Sequence, residues 1–99
     1  MVATTPKTYH DIKTYIAGTD KNFKNWFVGI TANARECLFI EHGVSEQTDK
    51  WIYRRCYNNR CAKNIKESLM TMGCSGDAGG WDDETTTVYA YLKNEHTIP

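Results

Sequence analysis

The stretch NWFVGITAN, residues 25–33, decides the fold, because it predicts a strand and carries a glycine at its centre. Its apolar residues fall on both faces of a strand, since successive side chains alternate: they are Trp26, Phe27, Val28 and Ile30. A strand that is apolar on both faces is typical of a central position in a sheet. Gly29 interrupts the run and weakens such a strand. Because glycine has no side chain of its own to pack, its presence in this strand needs another explanation.

The length and composition place the chain among small folded proteins. It has 99 residues, of which 40% are hydrophobic, and this corresponds to about one domain, residues 1–99. No apolar run approaches the roughly 18 residues that span a bilayer, and the N-terminal segment lacks the hydrophobic region of a signal peptide. We therefore expect a cytoplasmic protein without a membrane partner, whose four cysteines are reduced thiols. The sequence leaves the oligomeric state open.

Helical spacing of apolar residues predicts three helices. The first covers residues 6–17. The second lies in ANARECLFIEHGV, residues 32–44, although CLFI alone is compatible with a strand. The third starts at the cap candidates Asn58 and Asn59. Glycines are expected to end all three helices, at Gly18, Gly43 and Gly73.

Two further strands complete the predicted fold. KWIYRRCY, residues 50–57, alternates and is rich in aromatic and β-branched residues, as is TTTVYAYL, residues 85–92. GCSGDAGGWDDE, residues 73–84, is expected to be a loop. The order predicts an α/β (α+β) domain with a small mixed three-stranded sheet flanked by about three helices. An open alternative is that the last strand lies beside WFVGIT and brings Tyr89 or Tyr91 to a site there.

The strand FVGIT, followed by a turn and a helix with LFIEHGV, resembles the YVGIT strand of the GIY-YIG endonuclease family. The resemblance extends more weakly over residues 26–73. In that family the strand and the following helix build one side of a metal-dependent DNA-cutting site. The resemblance implies that Gly29 keeps the surface above the strand open for substrate.

Three positions of the family's site hold residues unsuited to hydrolysis. The second motif tyrosine falls on Phe27, which has no hydroxyl. The catalytic arginine falls on Cys37, whose thiol cannot replace a guanidinium, and the metal-binding glutamate falls on Lys66, whose ammonium would repel a cation. The resemblance therefore implies a non-catalytic interaction protein without a cofactor, which binds a nucleic-acid-processing protein or nucleic acid. A small domain whose catalytic residues have been replaced would suit an inhibitor carried by a phage or other mobile element.

An active GIY-YIG-type DNA endonuclease is the main alternative, and it would need Mg²⁺ or Mn²⁺. Arg35 lies about 200° round the helix axis from Cys37, and Glu67 about 100° from Lys66, so both are expected to point away from the site. An active enzyme would use residues in shifted roles: Tyr15, Arg35, His42, Glu67 and Tyr89.

The charges are unevenly distributed, although the formal net charge is zero. Residues 50–66 contain six Lys or Arg and no acid, whereas residues 77–84 contain four acids and no base. The two segments either neutralise each other or form binding surfaces, and the basic one makes a simple nucleic-acid-binding module a further alternative. In a strand, Arg54 and Arg55 point to opposite faces. The candidate binding residues are Arg54, Arg55, Tyr57, Arg60, Lys63, Lys66, Trp81, Asp82 and Asp83.

Cysteine and histidine offer a zinc site as another interpretation. The ligands would be Cys56, Cys61 and Cys74, with either Cys37 or His42. The spacing between Cys56 and Cys61 is wider than in common zinc knuckles, so no metal site is expected. Cys37 and His42 could also form a nucleophile pair, but residues five apart on an α-helix face different ways, so we expect a buried Cys37 and a surface His42 instead.

Overall fold

A computed structural model describes residues 5–76 and 85–98 of the chain. In chain order the elements are α1 (Thr5–Thr19), a 3₁₀ turn (Phe23–Asn25), β1 (Trp26–Thr31), α2 (Ala34–Glu36), a π-helical turn (Cys37–Glu41), β2 (Trp51–Arg55), α3 (Asn59–Thr71), β3 (Ser75–Gly76) and β4 (Thr87–Leu92). The α+β class is confirmed. Within the described residues, no helix is long and apolar enough to cross a membrane.

In the described part of the chain, the strands form one mixed sheet of four strands in the order β2-β4-β1-β3. β4 runs antiparallel to both of its neighbours, and β3 runs parallel to β1. The predicted central position of β1 is confirmed. The predicted count of three strands is wrong, because residues 75 and 76 of the expected loop pair with Phe27 and Val28. A strand of two residues has no apolar alternation by which a sequence could reveal it.

The helix ends are mostly as expected. The Asn58 side chain accepts from the Cys61 amide at 2.9 Å and caps α3. Gly43 and Gly73 have φ of 70° and 122°, the left-handed region that favours glycine. Gly18 does not end α1, which continues to Thr19. Nothing lies within 4 Å of a Cβ built on Gly18, so the residue is tolerated as a helical position near the end of α1.

The sheet separates two apolar clusters. On one side α1 and α3 pack on the sheet, and we call this side the α1/α3 face; its buried residues include Ile12, Ile16, Trp26, Val28, Ile65 and Leu69. The π-helical turn covers the other side, which we call the π-turn face; its buried residues are Phe27, Cys37, Leu38, Val44, Tyr89 and Tyr91. Alternation along β1 therefore divides the apolar residues of WFVGIT between two cores.

Candidate functional site

Gly29 is explained by its neighbour on β4. The backbone of Gly29 pairs with that of Tyr89, and a Cβ at position 29 would lie 2.5 Å from the Tyr89 hydroxyl oxygen. The Tyr89 ring therefore occupies the space that a side chain on β1 would need. The expectation that Gly29 leaves the surface open for substrate is wrong, because a tyrosine only 1% exposed fills that surface.

His42 is the centre of a buried hydrogen-bonded cluster on the π-turn face. Its Nδ1 lies 2.6 Å from the Ile98 carbonyl oxygen, and its Nε2 lies 2.8 Å from the Tyr89 hydroxyl. A carbonyl can only accept, so Nδ1 carries the proton and donates to Ile98, while Nε2 accepts from Tyr89. The Tyr91 hydroxyl lies 3.1 Å from Nδ1. Both ring nitrogens are thus occupied within the protein.

The predicted surface position of His42 is wrong, and the π-helical turn explains why. The His42 amide donates to the Cys37 carbonyl at 3.0 Å, a bond between residues five apart. The wide turn of a π-helix brings residues i and i+5 to the same side, whereas an α-helix separates them. His42 consequently lies buried beside the cluster that contains Cys37. The predicted burial of Cys37 is confirmed.

The residues that an active nuclease would use do not meet in one place. Tyr15 packs edge-to-face against Trp26 at 5.8 Å between ring centroids, on the α1/α3 face. Glu67 is exposed on α3, which covers that same face. Arg35 belongs to α2 near the π-turn face, where its Nη2 pairs with the Glu46 carboxylate at 2.8 Å. Of the proposed set, the structure brings together only His42 and Tyr89, and both are buried.

The three residues that the resemblance aligns with a nuclease site, Phe27, Cys37 and Lys66, are also divided between the two faces. Phe27 packs against His42 and Tyr91, with ring centroids 4.9 and 5.4 Å apart, and Cys37 is buried in the same cluster. Lys66 is buried in α3, on the opposite side of the sheet. Lys66 is only 6% exposed, so its ammonium does not contribute to a surface patch as the sequence predicted.

The cysteines do not gather into one site. Cys37 lies on the π-turn face, whereas Cys56, Cys61 and Cys74 contact the α1/α3 core. Burial raises the pKa of Cys56 and of Cys74 to about 11, so both thiols are protonated at neutral pH. Across residues 5–76 and 85–98, no three His, Cys, Asp or Glu side chains are grouped as a metal site would require.

β2 lies at one edge of the sheet, and we call its outer side the open edge. Over the described residues β2 has one neighbouring strand, β4. The Leu92 amide donates to the Lys50 carbonyl at 2.9 Å, and the Cys56 amide donates to the Thr86 carbonyl at 2.8 Å. Antiparallel ladders alternate bonded and non-bonded pairs. The backbone groups of Ile52 and Arg54 therefore face β4, and those of Trp51, Tyr53 and Arg55 face outward.

Arg54 partly covers the open edge. Its Nη1 donates to the Tyr53 carbonyl at 2.8 Å, and its Nε lies 3.6 Å from the Asp11 carboxylate on α1. Both side chains of that ion pair are partly exposed, so the pair contributes little to stability. The Arg54 side chain reaches α1, as the predicted divergence of Arg54 and Arg55 to opposite faces requires.

An aromatic row lies beside the open edge. Trp51 and Tyr53 are stacked, with ring centroids 5.8 Å apart, and Phe39 meets Trp51 edge-to-face at 5.0 Å. The Arg35 guanidinium lies 5.1 Å from the Phe39 ring centroid. Hydrogen bonds to Glu46 and to Tyr53 raise the pKa of Arg35. Arg35 thus joins the row through a cation–π contact and polar contacts.

A cavity of about 380 Å³ opens at this edge between β2 and α1. Its lining residues are Tyr15, Trp51, Ile52, Tyr53 and Arg54. Four consecutive residues of β2 contribute to it, and consecutive residues alternate between faces, so the cavity follows the edge of the sheet. Such a volume falls within the range of small binding pockets.

The remaining predicted binding residues are dispersed. Tyr57 is 72% exposed, and Arg55 and Arg60 are exposed as well. Lys63 is half-buried. Trp81, Asp82 and Asp83 lie outside the described residues. Sequence reasoning missed the cavity-lining role of Trp51 and Tyr15. The local sequence pattern does not reveal the strand order, and it is the strand order that leaves β2 at an edge.

Comparison with known proteins adds no relative to this description. No family model, no curated protein and no solved structure matches the chain.

Proposed function

We propose that this chain is a non-catalytic interaction protein, similar to a GIY-YIG domain that has lost hydrolysis, which binds a nucleic-acid-processing protein. The observation that carries the non-catalytic part is the separation of Arg35 and Glu67 by the sheet. A guanidinium that steadies a phosphate and a carboxylate that holds a cation must converge on one reacting group. These two side chains belong to elements on opposite faces.

The histidine and tyrosine that do meet are poorly placed for acid–base chemistry on a large substrate. A general base must come within hydrogen-bond reach of the proton it removes. His42 and Tyr89 are buried and already bonded to each other, and His42 also bonds Ile98. This geometry suits a structural role that fixes the π-turn face.

We favour a protein partner over nucleic acid, because two of the arginines near the open edge already form ion pairs within the chain. Arg35 is paired with Glu46, and Arg54 with Asp11, while the net charge is zero. Nucleic-acid affinity depends on cations that can neutralise phosphates. The open edge of β2 offers backbone donors, aromatic rings and a cavity, which are features that a polypeptide can use. The nucleic-acid-processing character of the partner, and a role as an inhibitor carried by a phage or other mobile element, rest on the resemblance alone.

Direct binding to nucleic acid is the second candidate, because one exposed aromatic lies near exposed cations in the chain. Tyr57 follows Arg55 by two residues and precedes Arg60 by three, and all three are exposed. A ring on which a base can stack, together with cations for its phosphates, is a common arrangement for single-stranded nucleic acid.

The catalytic alternative is tested by incubating the protein with supercoiled plasmid and Mg²⁺ or Mn²⁺. We expect no cleavage above a buffer control, because Arg35 and Glu67 do not converge. Glu67→Ala and Arg35→Ala are the matched variants, since contaminating nuclease would be unaffected by either. Cleavage that disappears in Glu67→Ala would overturn the non-catalytic proposal.

The two binding candidates are separated by capture and by gel shift. Tagged protein is expected to retain a partner from host lysate that has been treated with DNase and RNase. If nucleic acid is the target instead, retardation of a single-stranded oligonucleotide should fall steeply with salt and weaken in Arg55→Ala plus Arg60→Ala. Lys21→Ala, which removes an exposed cation between α1 and β1, is the control. Salt-sensitive retardation without protein capture would favour the second candidate.

A further inference from the structure

We propose that the partner contributes an extended acidic segment, which adds as a strand to the open edge of β2. This inference rests on the proposed function, because it specifies how the interaction protein holds its partner. It starts from the juxtaposition of three features at one edge: outward-facing backbone groups, exposed cationic side chains, and a cavity of about 380 Å³.

The backbone of the open edge can bond an added strand in regular order. The N–H groups of Trp51, Tyr53 and Arg55 face away from β4, as do their carbonyls, since the bonded pairs of the ladder alternate. An exposed row of this kind is a template for pairing with another chain. Main-chain hydrogen bonds supply much of the affinity when a peptide extends a sheet.

The charge of the edge selects the occupant. Lys50, which precedes β2, and Arg54 and Arg55 within it are exposed, and the strand contains no acid. Asp11 on α1 pairs with Arg54, which leaves the positive side chains in excess among these four residues. A second copy of this chain would bring its own cations to the same seam, which like-charge repulsion disfavours. An acidic segment is attracted instead. Nucleic acid would be attracted as well, but its phosphates cannot reproduce the alternating donors and acceptors of a strand.

Arg54 would change partners when the segment binds. Its guanidinium now donates to the outward carbonyl of Tyr53, at 2.8 Å, and lies 3.6 Å from Asp11. The added strand supplies an amide for that carbonyl and a carboxylate for the guanidinium. Because the pair with Asp11 is partly exposed, little is lost when Arg54 leaves it. Arg54 thus protects the free edge and becomes a contact in the complex.

The side chains of the added segment can contact the protein on both faces of the sheet. Residues at alternate positions would lie over the stacked rings of Trp51 and Tyr53. The residues between them would enter the cavity, where Tyr15 and Ile52 form part of the wall. The edge therefore favours a segment with apolar, β-branched residues in the middle and acids towards its ends.

A display library of random dodecapeptides is the probe for this proposal. Selection on the wild-type chain is expected to enrich acidic, β-branched sequences. The key variant is Tyr53→Pro, which removes an outward N–H and leaves the bonded pairs of Ile52 and Arg54 with β4 in place. Affinity of a selected peptide should fall about tenfold or more, because one ladder bond is lost and the proline ring crowds the edge. Tyr53→Ala, which keeps the N–H but lacks the ring as proline does, is the matched control and should bind clearly more tightly than Tyr53→Pro.

Amide hydrogen exchange provides a second measurement on the unmodified chain. The amides of Trp51, Tyr53 and Arg55 should exchange quickly in the free protein and slowly with bound peptide. Those of Ile52 and Arg54, which face β4, should be protected in both states. If Tyr53→Pro does not fold, Arg54→Glu with Arg55→Glu replaces it, and this pair should abolish binding of acidic peptides.

Several outcomes would overturn strand addition. They are the absence of enriched peptides, enrichment that is not acidic, binding by Tyr53→Pro as tight as by Tyr53→Ala, or bound peptide that leaves the three outward amides unprotected. These failures are distinct from failure of the proposed function. A lysate partner captured equally by wild type and by Tyr53→Pro would preserve the interaction protein and refute the added strand.

Discussion

Gly29 shows how a single residue couples two distant parts of the chain. Tyr89 is buried against it, and its hydroxyl is held by His42 at 2.8 Å, so the ring is not free to move aside. We predict that Gly29→Ala lowers the free energy of unfolding by about 1–3 kcal/mol, the usual cost of overpacking a core. The reason is that the new Cβ would lie 2.5 Å from the Tyr89 hydroxyl oxygen. Urea denaturation measures the change.

Gly18→Ala is the matched control for that substitution. A Cβ at Gly18 has nothing within 4 Å, and the residue is exposed near the end of α1. Alanine should leave stability unchanged or raise it by about 0.5–1 kcal/mol, because it restricts the unfolded chain and favours helix. In a Tyr89→Leu background the cost of Gly29→Ala should shrink, since the clash is removed. An equal cost in both backgrounds would contradict the assignment of Tyr89 as the neighbour that requires glycine.

At the level of elements, the parts predicted from sequence are those that local chemistry specifies. α3 begins after an asparagine cap and ends before a left-handed Gly73, and both signals are short-range. The π-helical turn Cys37–Glu41 and the strand Ser75–Gly76 were not predicted. A π turn differs from an α turn by one residue of hydrogen-bond reach, and tertiary packing decides between them. The pairing of β3 with β1 depends equally on distant partners.

The cap of α3 gives the prediction at this scale. The Asn58 side chain accepts from the Cys61 amide, which has no helical acceptor of its own. Asn58→Ala should therefore cost about 1 kcal/mol of stability. Asn64→Ala removes the same side chain from an exposed position inside α3 and should raise stability by about 0.5 kcal/mol, through helix propensity. Thermal or urea unfolding compares the two variants. If Asn58→Ala is no less stable than Asn64→Ala, the Asn58 side chain does not act as a cap.

For the whole molecule, the decisive feature is the position of β4. The last strand in the chain lies between β2 and β1, so the sheet is completed by contacts between residues far apart in sequence. Arg54 was a binding candidate from the sequence, but only this strand order leaves β2 at an edge, where the cavity lies. Likewise, His42 could not be assigned to the core before Ile98 and Tyr89 were known to surround it. Some residues of the candidate site could thus be predicted from the sequence, but their arrangement could not.

The segment after β4 is held to the body of the protein by Asp49. The Asp49 carboxylate is buried and accepts from the Ser45 amide at 2.7 Å and from the Asn94 side chain at 2.9 Å, and it also pairs with His96. Burial acts to raise the pKa of Asp49, but the hydrogen bonds from Ser45, His96 and Asn94 outweigh it and hold the pKa below its ordinary value. A carboxyl whose pKa is lowered by folding stabilises the native state when ionised.

The sign of the resulting pH dependence follows directly. The stabilisation from Asp49 is complete above the ordinary carboxyl pKa of about 4 and is lost as the pH falls through the lowered value in the folded protein. Asp49→Asn should be about 1–3 kcal/mol less stable at pH 7, because an amide cannot accept all of the bonds that the carboxylate accepts. The difference should narrow below about pH 4, as the wild type itself loses the charge.

Glu67→Gln, at an exposed position on α3, is the control and should track the wild type throughout. Urea unfolding across this pH range measures both, and a constant difference between Asp49→Asn and wild type down to about pH 2 would show that the carboxylate does not anchor the C-terminal segment through its charge.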